Sequence, residues 1–266
     1  MSQEVETTAI VGDSGDFLPG KLQQFERDGF VIVRNLADET LRSRMLSVTR
    51  EGLDRKIGPI EYEAEVEYPG SPISPTHPGG ATIRRLRQAL SRDFCFTEWV
   101  SSPSLHGRLR QLLGPNRVLP LAHHNCIMTK HPRFSSDTNW HQDIRYWSYE
   151  QSELISVWLA LGSEHQENGC LQLIPGTHRM EIDRRRFDDK LFFRPELPEN
   201  QDVIRQAIFA TLEPGDVVFF HCRLLHAASR NHTDKTKYSV VFTFRAANNL
   251  PIPNSRSASL PELVFR

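Results

Sequence analysis

Apolar positions along the chain change period near residue 117, and the change divides the sequence into a helical part and a strand-rich part. Leu18, Leu22, Phe25 and Phe30 recur near helical spacing, with Pro19 where a first turn tolerates it and Gly29 where a helix stops. A helix feeding a strand is expected, the strand being Phe30-Val31-Ile32-Val33, and Asp38 then caps a second amphipathic helix through Leu41, Met45 and Val48. Residues 57–82, with Pro59, Pro69, Pro72, Pro75 and Pro78, read as a long loop without regular structure, and loops of that length are usually functional or mobile. Helical spacing returns from Ile83 to about Leu113, punctuated by Ser102-Pro103 and stopped by Gly114. From Arg117, short runs rich in Val, Ile, Leu and Phe follow at 117–130, 154–161, 170–174, 208–213, 217–221 and 238–245. His131-Pro132, Pro175-Gly176 and Pro214-Gly215-Asp216 separate them as turns. The pattern predicts a mainly β fold with flanking helices: a sandwich or jelly roll with a helical layer on one side.

The expected organisation is a loose polar tail over 1–16 and a single domain over 17–266, with a helical part at 17–114 and a jelly-roll core at 115–250. An irregular insert at 180–204 carries Arg184, Arg185, Arg186, Asp188 and Asp189. Such a charge run reads first as a solvated surface loop; the sharper reading is a lid whose arginines meet an anionic substrate. The 32 Lys plus Arg against 33 Asp plus Glu give a net charge of -1, so nothing electrostatic favours nucleic acid or an anionic membrane as partner. The opening MSQEVETTAI has no basic, apolar signal pattern, and the four cysteines, Cys95, Cys126, Cys170 and Cys222, form no C-x-x-C pair. A reducing, cytoplasmic setting is the expectation. Nothing in the pattern speaks to oligomeric state.

Histidine changes the picture, since there are 11 and several stand beside aromatic and acidic residues in the second half. The most informative stretch is Asn139-Trp140-His141-Gln142-Asp143. Residues two apart in an extended chain point to the same side, so His141 and Asp143 can offer a ring nitrogen and a carboxylate oxygen to one point. His226 stands 85 residues after His141, between two expected strands, and a jelly roll makes such distant strands neighbours. Two imidazoles and a carboxylate on one face leave adjacent positions open, the arrangement of non-haem Fe(II) oxygenases. His178 and His221 are alternatives to His226; His221, inside an apolar run, reads better as a hydrogen-bonded core histidine. His123, His124, His165 and His232 read as ordinary loop or surface residues. Alternation in 237–244 puts Tyr238, Val240, Phe242 and Phe244 on one face and Lys237, Ser239, Val241 and Thr243 on the other. A cation and a hydroxyl two residues apart suit a carboxylate ligand.

These residues resemble the phytanoyl-CoA dioxygenase-like branch of the Fe(II)/2-oxoglutarate oxygenases. The resemblance runs from about Leu22 to Arg245 through Trp140-His141-Gln142-Asp143, the 156–161 strand SVWLAL, the 167–179 stretch ENGCLQLIPGTHR, the 215–221 stretch GDVVFFH and the His226 segment. It implies a double-stranded β-helix holding Fe(II) through His141, Asp143 and His226. The 2-oxoglutarate cosubstrate would chelate the iron by its keto acid end, its far carboxylate meeting Lys237, where the family usually has arginine, with Ser239 supplying a second bond. By the same alignment Trp158 lines the cosubstrate pocket, Arg85 reaches it from the helical region, Cys126 or Thr129 borders it, and Trp147 faces substrate. Asp143 fills the position that halogenating relatives leave to chloride, so hydroxylation of an unactivated C–H with O2 is implied, releasing succinate and carbon dioxide, with ascorbate as activator.

Two rivals accompany this reading. The same centre can give desaturation, cyclisation or epimerisation, which product analysis separates. The other is a non-enzymatic cupin-like binding module, since a site of this kind binds several later transition metals more tightly than Fe(II). Arg84, Arg85 and Arg87 hint at an anionic small-molecule substrate without naming it.

Overall fold

The structure, a computed structural model, describes residues 15–266, so the expected tail lies outside the described residues as far as residue 14. From there the chain is anchored: the Phe17 N–H donates to Gln111 Oε1 (2.6 Å) and Asp16 pairs with Arg110 (3.2 Å). The helix α1 (Pro19–Asp28) ends at Gly29, whose φ of 79° is left-handed. A Cβ there would stand 2.4 Å from His178 Nδ1, so both conformation and close approach require glycine. Strand β1 (Phe30–Val33) follows, and Asp38 then caps α2 (Glu39–Asp54) by accepting the Leu41 N–H at 2.9 Å.

Two expectations fail in the next stretch. Residues 57–82 are not wholly irregular, since β2 (Ile60–Tyr62) and a 3-10 turn at Glu63–Glu65 lie within them. Ile83–Arg87 is not helical but forms β3, paired with β2 on one side. Its apolar spacing fits a helix, yet the long-range ladder decides, with Arg84 and Arg85 placed against Glu63 (3.2 Å) and Glu61 (2.8 Å) of the supposed loop. Helices α3 (Phe94–Val100) and α4 (Pro103–Leu113) then take Pro103 at the first turn and Gly114 at the stop, as expected.

The run at 117–130 splits into β4 (Arg117–Pro120) and β5 (Asn125–Lys130). After it come β6 (Thr138–His141), β7 (Leu154–Ala160) and β8 (Leu171–Leu173). The insert at 180–204 is less irregular than expected, containing a 3-10 turn at Arg184–Arg186 and α5 (Pro198–Ile204). The chain closes with β9 (Ile208–Phe209), β10 (Val217–His221), β11 (His226–Ala228), β12 (Lys237–Ala246) and β13 (Glu262–Phe265). Among the described residues no helix is long and apolar enough to cross a membrane.

The strands form two antiparallel sheets. The large one runs β1-β10-β7-β12-β5-β3-β2, with β4 and β13 continuing beside β12; the small one runs β6-β11-β8-β9. Period-2 alternation decides what each face of the large sheet meets. Val217, Phe219, Val157, Leu159, Val240 and Phe242 pack outward against Met45, Phe96, Trp99 and Leu105 of the helices. Val218, Phe220, Trp158, Ala160 and Val241 point inward with Leu171 and Leu173 of the small sheet. Each fully buried Phe contributes about 1.5–3 kcal/mol to holding these layers together. The expected two faces of 237–244 are thus the helix-facing and the interior face, and the polar one, Lys237 and Ser239, looks into the barrel.

Candidate metal centre

The register β11–β6 sets His226 directly opposite His141, with ring centroids 4.2 Å apart. Gln142 keeps an extended backbone (φ -110°, ψ 136°) before the chain turns, so Asp143 returns to the side of His141. The Asp143 Oδ1 atom lies 3.8 Å from His141 Nε2 and 3.5 Å from His226 Nε2. One ligand atom from each of the three falls within 4.8 Å of the others, and all three residues are buried.

Backbone carbonyls determine which ring nitrogen is free. The His141 Nδ1–H donates to Asn139 O (2.8 Å) and the His226 Nδ1–H to Leu224 O (2.9 Å). A carbonyl only accepts, so both Nδ1 atoms carry hydrogen, and in each neutral ring Nε2, the atom turned to the carboxylate, holds the lone pair. Ser156, on the inner face of β7, donates to Asp143 Oδ2 at 3.0 Å and meets Thr243 Oγ1 at 3.2 Å. Burial pushes His141 well below the ordinary histidine value, with His226 adding to the effect. Burial works the same way on His226, but the Asp143 carboxylate outweighs it and holds His226 above that value. Burial by itself would raise Asp143; His124, His226 and His141 hold it well below the carboxylate range. Once metal displaces the proton that Asp143 favours on His226, two imidazole Nε2 atoms beside a buried anion form a donor set that fits a divalent transition metal.

A cavity of about 240 Å³ opens on this point, bordered by Trp158, Phe220, Leu171 and Met128 on the barrel side and by Tyr68, Tyr146 and Trp147 on the other. Trp147 is both a cavity wall and a packed indole, its ring 5.4 Å from that of His123 and 5.3 Å from that of His124. His123 and His124 are therefore not ordinary surface residues, as they line the cavity, and His124 Nδ1 lies 3.6 Å from Asp143 Oδ2. Burial lowers them to about 3 and about 4 respectively. The Thr129 hydroxyl donates to Ile83 O (2.5 Å) on β3, and Cys126 Sγ contacts Met128 Sδ (3.7 Å). Arg85 borders the cavity while paired with Glu61. The arginines of the insert stay local, Arg185 on Asp183 and Arg186 on Asn200. Phe192 instead reaches the centre, bridging to His141 with rings 5.9 Å apart.

Lys237, Ser239 and Trp158, which the resemblance assigns to the cosubstrate, meet here around a carboxylate of the chain itself. Lys237 Nζ donates to Glu164 Oε2 (2.9 Å), and Ser239 Oγ (2.6 Å) and Trp158 Nε1 (3.0 Å) donate to Glu164 Oε1. Glu164 is fully buried and pinned by two backbone bonds with Leu212 (2.8 and 2.9 Å). Nothing local marks it in the sequence, because its side-chain partners on β12 stand 73 and 75 residues away. Lys130 also escaped the sequence reading, although counting by twos from Cys126 through Met128 reaches it. It lines the cavity opposite Lys237 in the β12–β5 register.

Two buried imidazoles and a carboxylate at the closed end of a jelly-roll cavity define the class of non-haem iron oxygenases. The family model for phytanoyl-CoA dioxygenase (PhyH) matches residues 25–239, and the chain belongs to that family. A probable phytanoyl-CoA dioxygenase of Caenorhabditis elegans is 23% identical over 228 residues, 83% of this chain and 73% of the relative. The ectoine dioxygenase of Halomonas elongata is 26% identical over 251 residues, 88% and 72% of the two chains. Among solved structures, EctD from S. alaskensis with 2-oxoglutarate and 5-hydroxyectoine superposes with a TM-score of 0.74 at 18% identity, covering 91% of this chain and 80% of its own. The epimerase SnoN, in complex with Fe3+ and alpha ketoglutarate, gives 0.69 at 19% identity over 88% and 85%. These likenesses show the fold. Family and donor set together make the protein an iron- and 2-oxoglutarate-dependent dioxygenase.

Proposed function

We propose that this dioxygenase hydroxylates an unactivated C–H bond of a small, anionic organic substrate in the cavity above His141, Asp143 and His226. The observation carrying the reading is the convergence of two Nε2 atoms and a buried carboxylate at the end of a cavity whose walls also come from β3, β5, β7, β10 and β12. Ferrous iron and 2-oxoglutarate, when bound there, supply with O2 the oxidising power for the reaction, and succinate and carbon dioxide are released. The chain's own share is ligation, orientation and exclusion of water. Backbone carbonyls fix both imidazoles, and the Ser156 hydroxyl fixes the carboxylate. Tyr146 and Trp147 offer a substrate flat apolar faces, and Arg256 at the cavity border offers it a positive charge, which supports the anionic class. The segments 57–82 and 180–204 supply Tyr68 and Phe192 beside the centre, in keeping with a covering role for both.

The test is succinate release from 2-oxoglutarate under air, with Fe(II) and ascorbate, across pools of small carboxylates and other metabolites, followed by mass analysis of the product. Iron-dependent release that His141→Ala loses is expected, with a product 16 mass units heavier than substrate by addition of one oxygen atom. Equal activity in the variant would remove the ligand set. Epimerised product of unchanged mass would replace hydroxylation by the outcome named for SnoN.

A further inference from the structure

The charges around the cavity do not balance, and the imbalance singles out one lysine. Three of its buried or half-buried cations each have a carboxylate: Arg84 has Glu63 (3.2 Å), Arg85 has Glu61 (2.8 Å) and Lys237 has Glu164 (2.9 Å). Lys130 has none in ion-pair contact among the described residues. Its Nζ donates to two backbone carbonyls, Ser136 O (2.9 Å) and Ala228 O (3.4 Å), while only 8% of the residue is exposed. The β12–β5 register sets Lys130 directly across from Lys237 on the interior face. Like charges in directly opposed cross-strand positions repel, and burial, with Arg84 and Lys237 adding to it, pushes Lys130 well below the ordinary lysine value, so a carboxylate arriving beside Nζ would draw the charge onto it. Two facing lysines call for two carboxylates, and the chain supplies one.

The placement of Lys130 is built rather than incidental. Gly169 has a φ of +77°, and a Cβ there would stand 2.8 Å from the Lys130 side chain and 2.3 Å from Ser229 O, so the glycine leaves room for the lysine stem. Glu164 does not serve both lysines: Lys237, Ser239 and Trp158 converge on its two oxygens, its backbone is pinned, and the Lys130 Nζ goes to carbonyls instead.

We propose that Lys130 supplies the positive charge that balances the far carboxylate of the 2-oxoglutarate cosubstrate, the Lys237–Glu164 pair serving as a preformed, neutral hydrogen-bonding wall beside it. The proposal rests on the 2-oxoglutarate reading of the cavity. Lys237 keeps one N–H beyond those directed to Glu164 and Ser239, so it can still donate to the same carboxylate without bringing net charge. The separation of roles accounts for a lysine, instead of a forked guanidinium, at position 237: a residue already paired needs no bidentate grip on the ligand.

The test reads binding, not turnover. Full-length protein is loaded with Fe(II) under nitrogen and titrated with 2-oxoglutarate or with 2-oxovalerate, which keeps the keto acid end and replaces the far carboxylate by a methyl. Binding is followed by the visible charge-transfer band that a 2-keto acid gives on chelating ferrous iron. Wild type should prefer 2-oxoglutarate by roughly 10- to 100-fold, as expected for a charge-assisted hydrogen bond. In Lys130→Met the preference should fall to within about threefold of parity, through weaker 2-oxoglutarate binding and little change for 2-oxovalerate. Lys130→Gln, which can still donate to the two carbonyls, should behave the same way and guards against a folding defect, with Mn(II) affinity as the check on an intact centre. A wild-type preference that survives in both variants overturns the proposal alone and returns the role to Lys237. A wild type that binds both acids equally, or neither, overturns it together with the cosubstrate reading beneath it.

Discussion

His141 with His226, ring centroids 4.2 Å apart, and His178 with His221, 5.4 Å apart, are two buried histidine pairs on the same fold, and they are wired in opposite senses. In the first pair each Nδ1–H is held by a carbonyl two residues earlier, leaving both Nε2 atoms turned to Asp143. In the second, the Arg223 N–H donates into His221 Nδ1 (3.1 Å), so Nδ1 is the acceptor and Nε2–H donates to Glu153 (2.9 Å). No lone pair of His221 remains for a metal. His178, its partner, packs over Gly29. Burial and proximity are common to both pairs; the direction of one backbone hydrogen bond and the presence of a carboxylate beside the rings separate a pair fit to hold a metal from a packing pair.

The largest expected effect tests that distinction directly. His226→Ala should weaken Mn(II) binding by more than the roughly 100-fold that loss of an outer-sphere partner can cost. His221→Ala should leave the Mn(II) affinity almost unchanged and lower the thermal midpoint instead, since it strips partners from Glu153 and the Arg223 N–H. Calorimetric titration of both variants decides; a His221→Ala protein that loses the metal would erase the difference between the pairs.

A smaller effect probes the carboxylate that belongs only to the first pair. Ser156 orients Asp143 from β7 through its 3.0 Å hydrogen bond, and the hydroxyl has a second partner in Thr243. Ser156→Ala should cost about 10-fold in Mn(II) affinity, the low end for a residue acting through a ligand, while Thr243 and the neighbouring packing keep the fold. The same titration reads it, and an unchanged affinity would show that Asp143 is held by the imidazoles alone.

That His141, Asp143 and His226 converge was legible in the sequence because the H-x-D spacing and a histidine placed between two strand runs are local signals. The interior face of 237–244 was legible for the same reason: alternation is written into one continuous strand. What escaped depends on pairing between distant segments. Ile83, Leu86 and Leu90 are spaced for a helix, and only the ladder to Met128 and Ile127 on β5 makes Ile83–Arg87 a strand. The strands β6 and β11 are four and three residues long and carry the converging histidines, so they lack the apolar alternation that announces a strand. Glu164 looks like any loop acid until the fold surrounds it with Lys237, Ser239 and Trp158, and His124 looks like any loop histidine until Asp143 arrives beside it. Functional polar residues break the local pattern, and their meaning is set by partners the chain reaches late.

The smallest effect concerns the packing pair and is read through pH. Burial, with His221 adding to it, lowers His178 to about 4, whereas a histidine in the unfolded chain titrates near 6.5. Between those values the unfolded chain holds the extra proton, so stability is fully present above about pH 6.5 and declines as pH falls toward the folded value. His178→Gln removes one such group. Its urea midpoint, measured in metal-free protein at steps between about pH 4.5 and 7, should fall less steeply with acid than that of wild type, by at most ~1.4 kcal/mol per pH unit in unfolding free energy. Some slope should persist, since His123 and His124 are lowered to about 3 and about 4 by burial of their own. Matching slopes in wild type and variant would mean that His178 binds its proton as readily folded as unfolded, and His178 would then lose its description as a neutral, buried packing residue.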